Sequence, residues 1–156
     1  LLEKAVRQLK KLPPKLAVDV ELDLPVDAYL PHDYVTDIRA RIDFYRRLSK
    51  INEFGEIREL ETELKDRFGR LPTCVTQLLE MSEIRLEAAV WQIAAIINDD
   101  GFLRIRYTDA VRIKQLTRNS VISLRIADDR TAYVTIPKSV SEGALMIEFV
   151  KSMLQP

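Results

Sequence analysis

The chain has one cysteine, Cys74, and one histidine, His32, among 156 residues. A lone thiol excludes an internal disulfide and any multi-thiolate zinc or iron–sulfur site, and it fits a reducing compartment. Glycine is scarce as well. The four present, at positions 55, 69, 101 and 143, never take the spacing that cradles phosphates, so no P-loop is expected and neither are long flexible loops. Net charge is absent: 24 basic side chains balance 24 acidic ones, which argues against a partner held by bulk charge. The longest apolar run, residues 88–97, is interrupted by Gln92 and is about half the roughly 20 residues of a membrane span. With no signal-peptide pattern at the amino terminus, a soluble chain without a membrane partner is expected. Apolar and charged residues are plentiful, at 47% and 31%. A domain of this length buries roughly 70% of its unfolded surface and should fold alone.

The pattern along the chain begins in mid-helix, with Leu1, Leu2, Ala5, Val6, Leu9 and Leu12 at helical spacing before Pro13 and Pro14. Residues 1–14 therefore read as the end of an upstream helix with its linker, and 15–156 as the domain. Val18, Val20 and Leu22 alternate with acids as in a half-buried strand. A helix capped by Asp33 is expected through Lys50, with Tyr34, Val35, Ile38, Ile42, Tyr45 and Leu48 as its buried stripe. A second helix runs from Glu56 with Ile57, Leu60, Leu64 and Phe68 inward, and Gly69 ends it. A third opens at Pro72-Thr73 and carries Val75, Leu78, Leu79, Leu86, Ala89 and Val90 on one side. The period then changes. Residues 93–97 and 102–107 flank Asp100-Gly101, a tight-hairpin signal. A short helix over 109–118 and strands over 121–126 and 131–136 follow, and Ser139 with Glu142 forms the capping box of a last helix with Leu145, Met146, Phe149, Val150 and Met153 inward. These elements predict an α+β domain: helices first, then a small, largely antiparallel or mixed sheet of four or five strands and a closing helix.

Few residues offer catalytic chemistry. His32 lies between Pro31 and Asp33 at a helix start, where a solvated or capping role is the ordinary one. Asp99-Asp100 and Asp128-Asp129 fall at turns, which aspartate favours, and lack the further ligands of a magnesium or calcium site. No catalytic residue, metal or cofactor is therefore assigned. Two charged constellations remain. Arg104, Arg106, Arg112, Lys114 and Arg118 lie close in sequence beside Tyr107 and make either a solvated face or a nucleic-acid-binding surface. At about 100° per residue, Glu56, Glu59, Glu63 and Asp66 share a sector of about 80° on the second helix. Such like charges cost a few tenths of a kcal/mol each, and only Arg67 stands near enough in sequence to relieve them. This acidic ridge is either an ordinary solvated face or a docking surface for a basic patch.

The runs Asp27-Ala28-Tyr29-Leu30-Pro31-His32-Asp33-Tyr34-Val35, Arg41-Ile42-Asp43-Phe44-Tyr45-Arg46-Arg47-Leu48 and Glu63-Leu64-Lys65-Asp66-Arg67-Phe68-Gly69-Arg70-Leu71-Pro72 resemble the carboxy-terminal domain of the bacterial transcription-repair-coupling factor. The resemblance is close over residues 18–90; beyond them only the alternation of strand and helix matches. It implies a non-catalytic, autoinhibitory module following a DNA-translocating motor that uses ATP and magnesium, in a cytoplasmic protein. That protein would engage RNA polymerase, duplex DNA and the damage-recognition protein UvrA. The module would pack on an upstream excision-repair-like module and hide the surface that recruits UvrA. The family's contact maps onto Glu63 and Asp66, with Glu59 and Glu56 on the same ridge. Arg41 and Tyr45, four apart, are read as packing residues.

Overall fold

In this computed structural model residues 19–155 are described; the expected helix and linker over 1–14 lie outside them, as does Val18 of the first expected strand. The elements are β1 (Glu21–Asp23), α1 (Ile38–Ser49), α2 (Phe54–Phe68), α3 (Thr73–Val90), β2 (Ile93–Asp99), β3 (Phe102–Tyr107), α4 (Ala110–Asn119), β4 (Arg125–Ile126), β5 (Thr131–Thr135) and α5 (Gly143–Leu154). The β2–β3 hairpin forms because Asp100 and Gly101 both take positive φ, 42° and 85°, the combination a two-residue turn between twisted strands requires. β3 then buries Leu103, Ile105 and Tyr107 and exposes Phe102, Arg104 and Arg106, as the two-residue period of a strand dictates. The five strands run in the order β1-β2-β3-β5-β4. β1 is parallel to β2, and the other pairings are antiparallel. The fold is the expected α+β arrangement with a mixed sheet.

α3 organises the interior. Val75, Leu79 and Leu86 fall on one side of it and Ile84 and Ala88 on the other, at about 100° per residue. The first side joins Phe44, Leu48, Ile57, Leu60 and Leu64 in a helical core. The second joins the sheet residues Ile96, Leu103 and Ile105 and α5 residues Met146, Val150 and Met153 in a separate core. Val90, expected on the buried side, is 38% exposed, because it ends the helix where the chain turns toward β2.

Local expectations in α1, β4 and α5 are corrected. α1 begins at Ile38 and is capped by Asp37, whose carboxylate accepts from the Arg39 N–H. Asp33 instead lies within a turn in which the Tyr34 and Val35 amides both donate to the Pro31 carbonyl at 3.1 Å. α1 also packs through Phe44 and Leu48, leaving Ile38, Ile42 and Tyr45 exposed. Residues 121–124 are not a strand: Leu124 drops into the core while Val121 stays 91% exposed, so β4 keeps two residues. The Ser139–Glu142 capping box does not form. The turn closed by Val140 N–H to Pro137 carbonyl takes up Ser139, and α5 starts at Gly143, whose N–H donates to the Pro25 carbonyl at 2.9 Å and whose φ is +64°. Leu145 is exposed, and Ile147 and Leu154 are buried in its place.

Candidate functional site

The acidic ridge of α2 exists, but its four carboxylates are not equivalent. α2 is held on α1 by Ile57, Leu60 and Leu64, which leaves the adjoining flank to the charged positions. At the start of the helix Glu56 accepts from the Asn52 N–H at 3.4 Å, a weak bond that ties the preceding loop. Two turns on, Glu63 receives both Nη atoms of Arg47 from α1, at 2.8 and 2.9 Å, and Nη1 of Arg67 at 3.1 Å. Arg47 also stands 3.8 Å from Asp43. Both guanidinium groups lie over the Phe44 ring, 5.2 and 5.4 Å from its centroid. The hydrogen bonds from Arg47 chiefly, and those from Arg67, hold the Glu63 carboxyl below the usual glutamate range. The expectation that Arg67 alone would relieve the ridge is corrected: the larger share comes from Arg47. It lies 16 residues away in the chain, so no helical period reveals it.

Glu59 and Asp66 are left on either side of this clamp. Both are exposed, and among the described residues neither makes a hydrogen bond or an ion pair. They stand about 10 Å apart along the helix, seven residues at about 1.5 Å each, and share a shallow depression with Arg58, Thr62, Glu63 and Arg67. The end of the helix is rigidly placed. The Tyr34 hydroxyl donates to the carbonyls of Leu64 and Gly69, at 3.1 and 2.8 Å, and the Tyr34 and Phe68 rings pack 5.7 Å apart. Gly69 takes φ +87° with ψ −158°, a region open essentially to glycine alone. Asp66 is thereby presented on a fixed turn of backbone. Arg41 and Tyr45 are fastened separately: Arg41 Nη1 donates to the Val35 carbonyl at 2.8 Å, and the Tyr45 oxygen accepts from the Leu30 N–H at 2.7 Å.

The basic constellation does not assemble. Arg104 and Arg106 point from the open face of the sheet, where Arg104 lies 3.5 Å from Asp99 and Arg106 3.8 Å from Glu21. Arg112, Lys114 and Arg118 sit on α4, which buries Ile113 and Leu116 against Leu103, Ile105 and Tyr107 and therefore lies on the opposite face. Arg112 is engaged by Asp109 at 3.7 Å and donates to the Val90 carbonyl. One continuous cationic surface is thus ruled out by the alternation of β3 itself. His32 is exposed in the turn before α1. Asp128 closes the turn before β5 by accepting from the Arg130 and Thr131 amides at 2.8 Å each. Those bonds, the Arg130 amide first, hold its carboxyl below the ordinary aspartate range. Among the described residues no three His, Cys, Asp or Glu side chains gather as metal ligands, and no helix is long and apolar enough to cross a membrane.

Comparison with known proteins bears on the whole chain. Residues 24–118 match the family model described as the TRCF domain. The transcription-repair-coupling factor of Myxococcus xanthus is 29% identical over 161 aligned residues, which take in 97% of this chain and 13% of that protein. The transcription-repair-coupling factor of Staphylococcus aureus strain USA300 is 39% identical over 90 residues, 56% of this chain and 8% of that protein. The chain thus spans only a small fraction of the length of these curated relatives. A crystal structure of the C-terminal domain of transcription-repair coupling factor shares the fold, with a TM-score of 0.67 at 24% identity, over 88% of this chain and 92% of that one.

Proposed function

The chain belongs to the TRCF domain family, and on that premise we propose that it is the regulatory carboxy-terminal module of a cytoplasmic transcription-repair-coupling factor. Its role is to rest on an upstream excision-repair-like module and mask the surface that recruits UvrA. In this reading the ATP- and magnesium-using motor, RNA polymerase and duplex DNA engage other parts of the parent protein, and this module adds no catalytic group. The observation that carries the reading is the presentation of Asp66 and Glu59, exposed and without a hydrogen bond or ion pair among the described residues, beside a rigid helix end. Glu63 has a different part from the one its position in the motif implies. Already shared by Arg47 and Arg67, it buttresses α2 against α1, and a cationic partner meets Asp66 and Glu59 first. A masking contact needs only modest affinity, since a motor step shifts the closed state by no more than the differential free energy it supplies.

The test mixes this chain with the separately produced upstream module and follows binding as salt is raised. Asp66→Lys with Glu59→Lys is expected to weaken association about tenfold or more while the domain stays folded, because both side chains are exposed and, among the described residues, make no hydrogen bond or ion pair. Unchanged affinity in that double variant refutes docking through α2.

A further inference from the structure

α1 has a second apolar stripe that the fold does not use. Ile38, Ile42 and Tyr45 are 61%, 52% and 41% exposed and, at about 100° per residue, fall within about 60° of one another. The buried pair Phe44 and Leu48 faces elsewhere. The stripe is preorganised: the Tyr45 oxygen is fixed by the Leu30 N–H at 2.7 Å, and Leu30 is itself buried. Its borders are cationic. Arg39 and Arg46 flank it on one side, both exposed and without an ion pair among the described residues. Arg41 flanks it on the other and gives one Nη to the Val35 carbonyl. Asp43, the only acid on the helix, lies toward Arg47 instead.

We infer that this open face of α1 docks an acidic amphipathic helix of a protein partner, its apolar side on Ile38, Ile42 and Tyr45 and its carboxylates on Arg39, Arg41 and Arg46. The surface is distinct from the carboxylates of α2 and does not depend on their role. Charge excludes the occupants nearest to hand. Residues 1–12 have helical apolar spacing but carry Lys4, Arg7, Lys10 and Lys11 against Glu3, so they meet the arginine borders with like charge. A second copy of α1 across a two-fold axis brings the same arginines together. Nucleic acid satisfies the arginines but leaves two isoleucines, which neither stack on bases nor bond to phosphate, at the centre of the contact. A helix in a groove, read at every third or fourth residue, fits both the spacing and the rim.

The full chain is titrated with a designed helical peptide that has leucines at three- and four-residue spacing and glutamates along both flanks, with binding mapped by backbone amide shifts. A matched peptide with lysines for the glutamates and a duplex oligonucleotide serve as comparators. The acidic peptide is expected to saturate with a dissociation constant on the order of 100 μM or tighter, to shift amides of residues 38–49, and to bind about tenfold more tightly than its lysine counterpart. Ile42→Asp should abolish that binding, and Arg39→Glu with Arg46→Glu should reverse the preference between peptides. All three positions are exposed, and unchanged thermal melts establish that the variants fold. Equal binding of both peptides, shifts that map elsewhere, tighter binding of the oligonucleotide, or self-association removed by Ile42→Asp would each overturn the proposal.

Discussion

Replacing Arg47 by methionine removes the clamp between α1 and α2 while retaining much of the aliphatic stem over Phe44. An exposed ion pair contributes about 0.2–1 kcal/mol, and a charge-assisted pair with both nitrogens engaged is roughly twice as strong as a neutral one. The Arg47 and Glu63 side chains are 39% and 32% exposed, so solvent screening keeps the pair near the upper end of the exposed range, at about 1 kcal/mol. Loss of the cation over Phe44 adds about 0.5–1 kcal/mol, for a total near 2 kcal/mol in Arg47→Met. Urea unfolding of the wild type, Arg47→Met, Glu63→Gln and the double variant isolates the pairwise part. The midpoint should fall with an unchanged slope, and the coupling should be about 1 kcal/mol at pH 7. The pH dependence has a definite sign. Glu63 titrates below its unfolded value of about 4.3, so its contribution is complete above that pH and is lost as pH falls through the lower, folded value. The stability gap between wild type and Glu63→Gln should therefore close on acidification. A coupling below about 0.3 kcal/mol at neutral pH, within the range over which independent sites add, or a gap that widens in acid, refutes the clamp.

Two further substitutions have expected outcomes. Gly69→Ala should destabilise the domain by about 1–3 kcal/mol in the same unfolding assay, even though a Cβ there meets nothing within 4 Å. The whole cost is backbone strain at φ +87° and ψ −158°, and a neutral result disproves that conformation. Glu87 is 9% exposed on α3, accepts a hydrogen bond from Gln155 Nε2 and has its other oxygen buried with no hydrogen-bond donor among the described residues; desolvation, its largest influence, pushes its carboxyl up. A raised acid favours folding below its unfolded pKa and loses that contribution as pH rises through the folded one. Glu87→Gln should therefore gain stability relative to wild type as pH rises above the ordinary glutamate range, on the order of 1 kcal/mol, as read from thermal melts at a series of pH values.

What the sequence makes legible is what short-range chemistry decides. Alternation along residues 102–107, the Asp100-Gly101 turn and the glycine stop after Phe68 are each set by residues within a turn of one another. The errors arise where two local solutions compete. α1 offers two apolar stripes, and only the arrival of α2 and α3 selects Phe44 and Leu48 over Ile38, Ile42 and Tyr45. A capping box at Ser139 is locally sound, yet the bond from Gly143 N–H to Pro25 fixes a later start. The acidic ridge was readable as geometry but not as electrostatics, since the division of Glu63 from Asp66 depends on Arg47 arriving from another helix. The five basic residues failed as a set for a simpler reason: proximity in sequence does not survive a sheet with a helix on one side and solvent on the other.

The placement of α3 through both cores bears on how the module can act as a unit. A layer of helices joined to a sheet by a linker would unfold in two steps and let α2 move without consequence for α5. Here one helix supplies Leu79 and Leu86 to the first core and Ile84 and Ala88 to the second, and melting either half strips apolar partners from the other. Lys151 on α5 reinforces the join by reaching Glu83 on α3 at 2.7 Å. Leu60→Ala in the helical core and Met146→Ala in the sheet core should each cost about 2–5 kcal/mol. Both should move one and the same transition, detected alike by far-ultraviolet dichroism and by fluorescence of the single tryptophan, Trp91, which bonds to the Leu154 carbonyl at 2.9 Å. If Leu60→Ala instead separates an early loss of helix from a later change at Trp91, the two cores are independent.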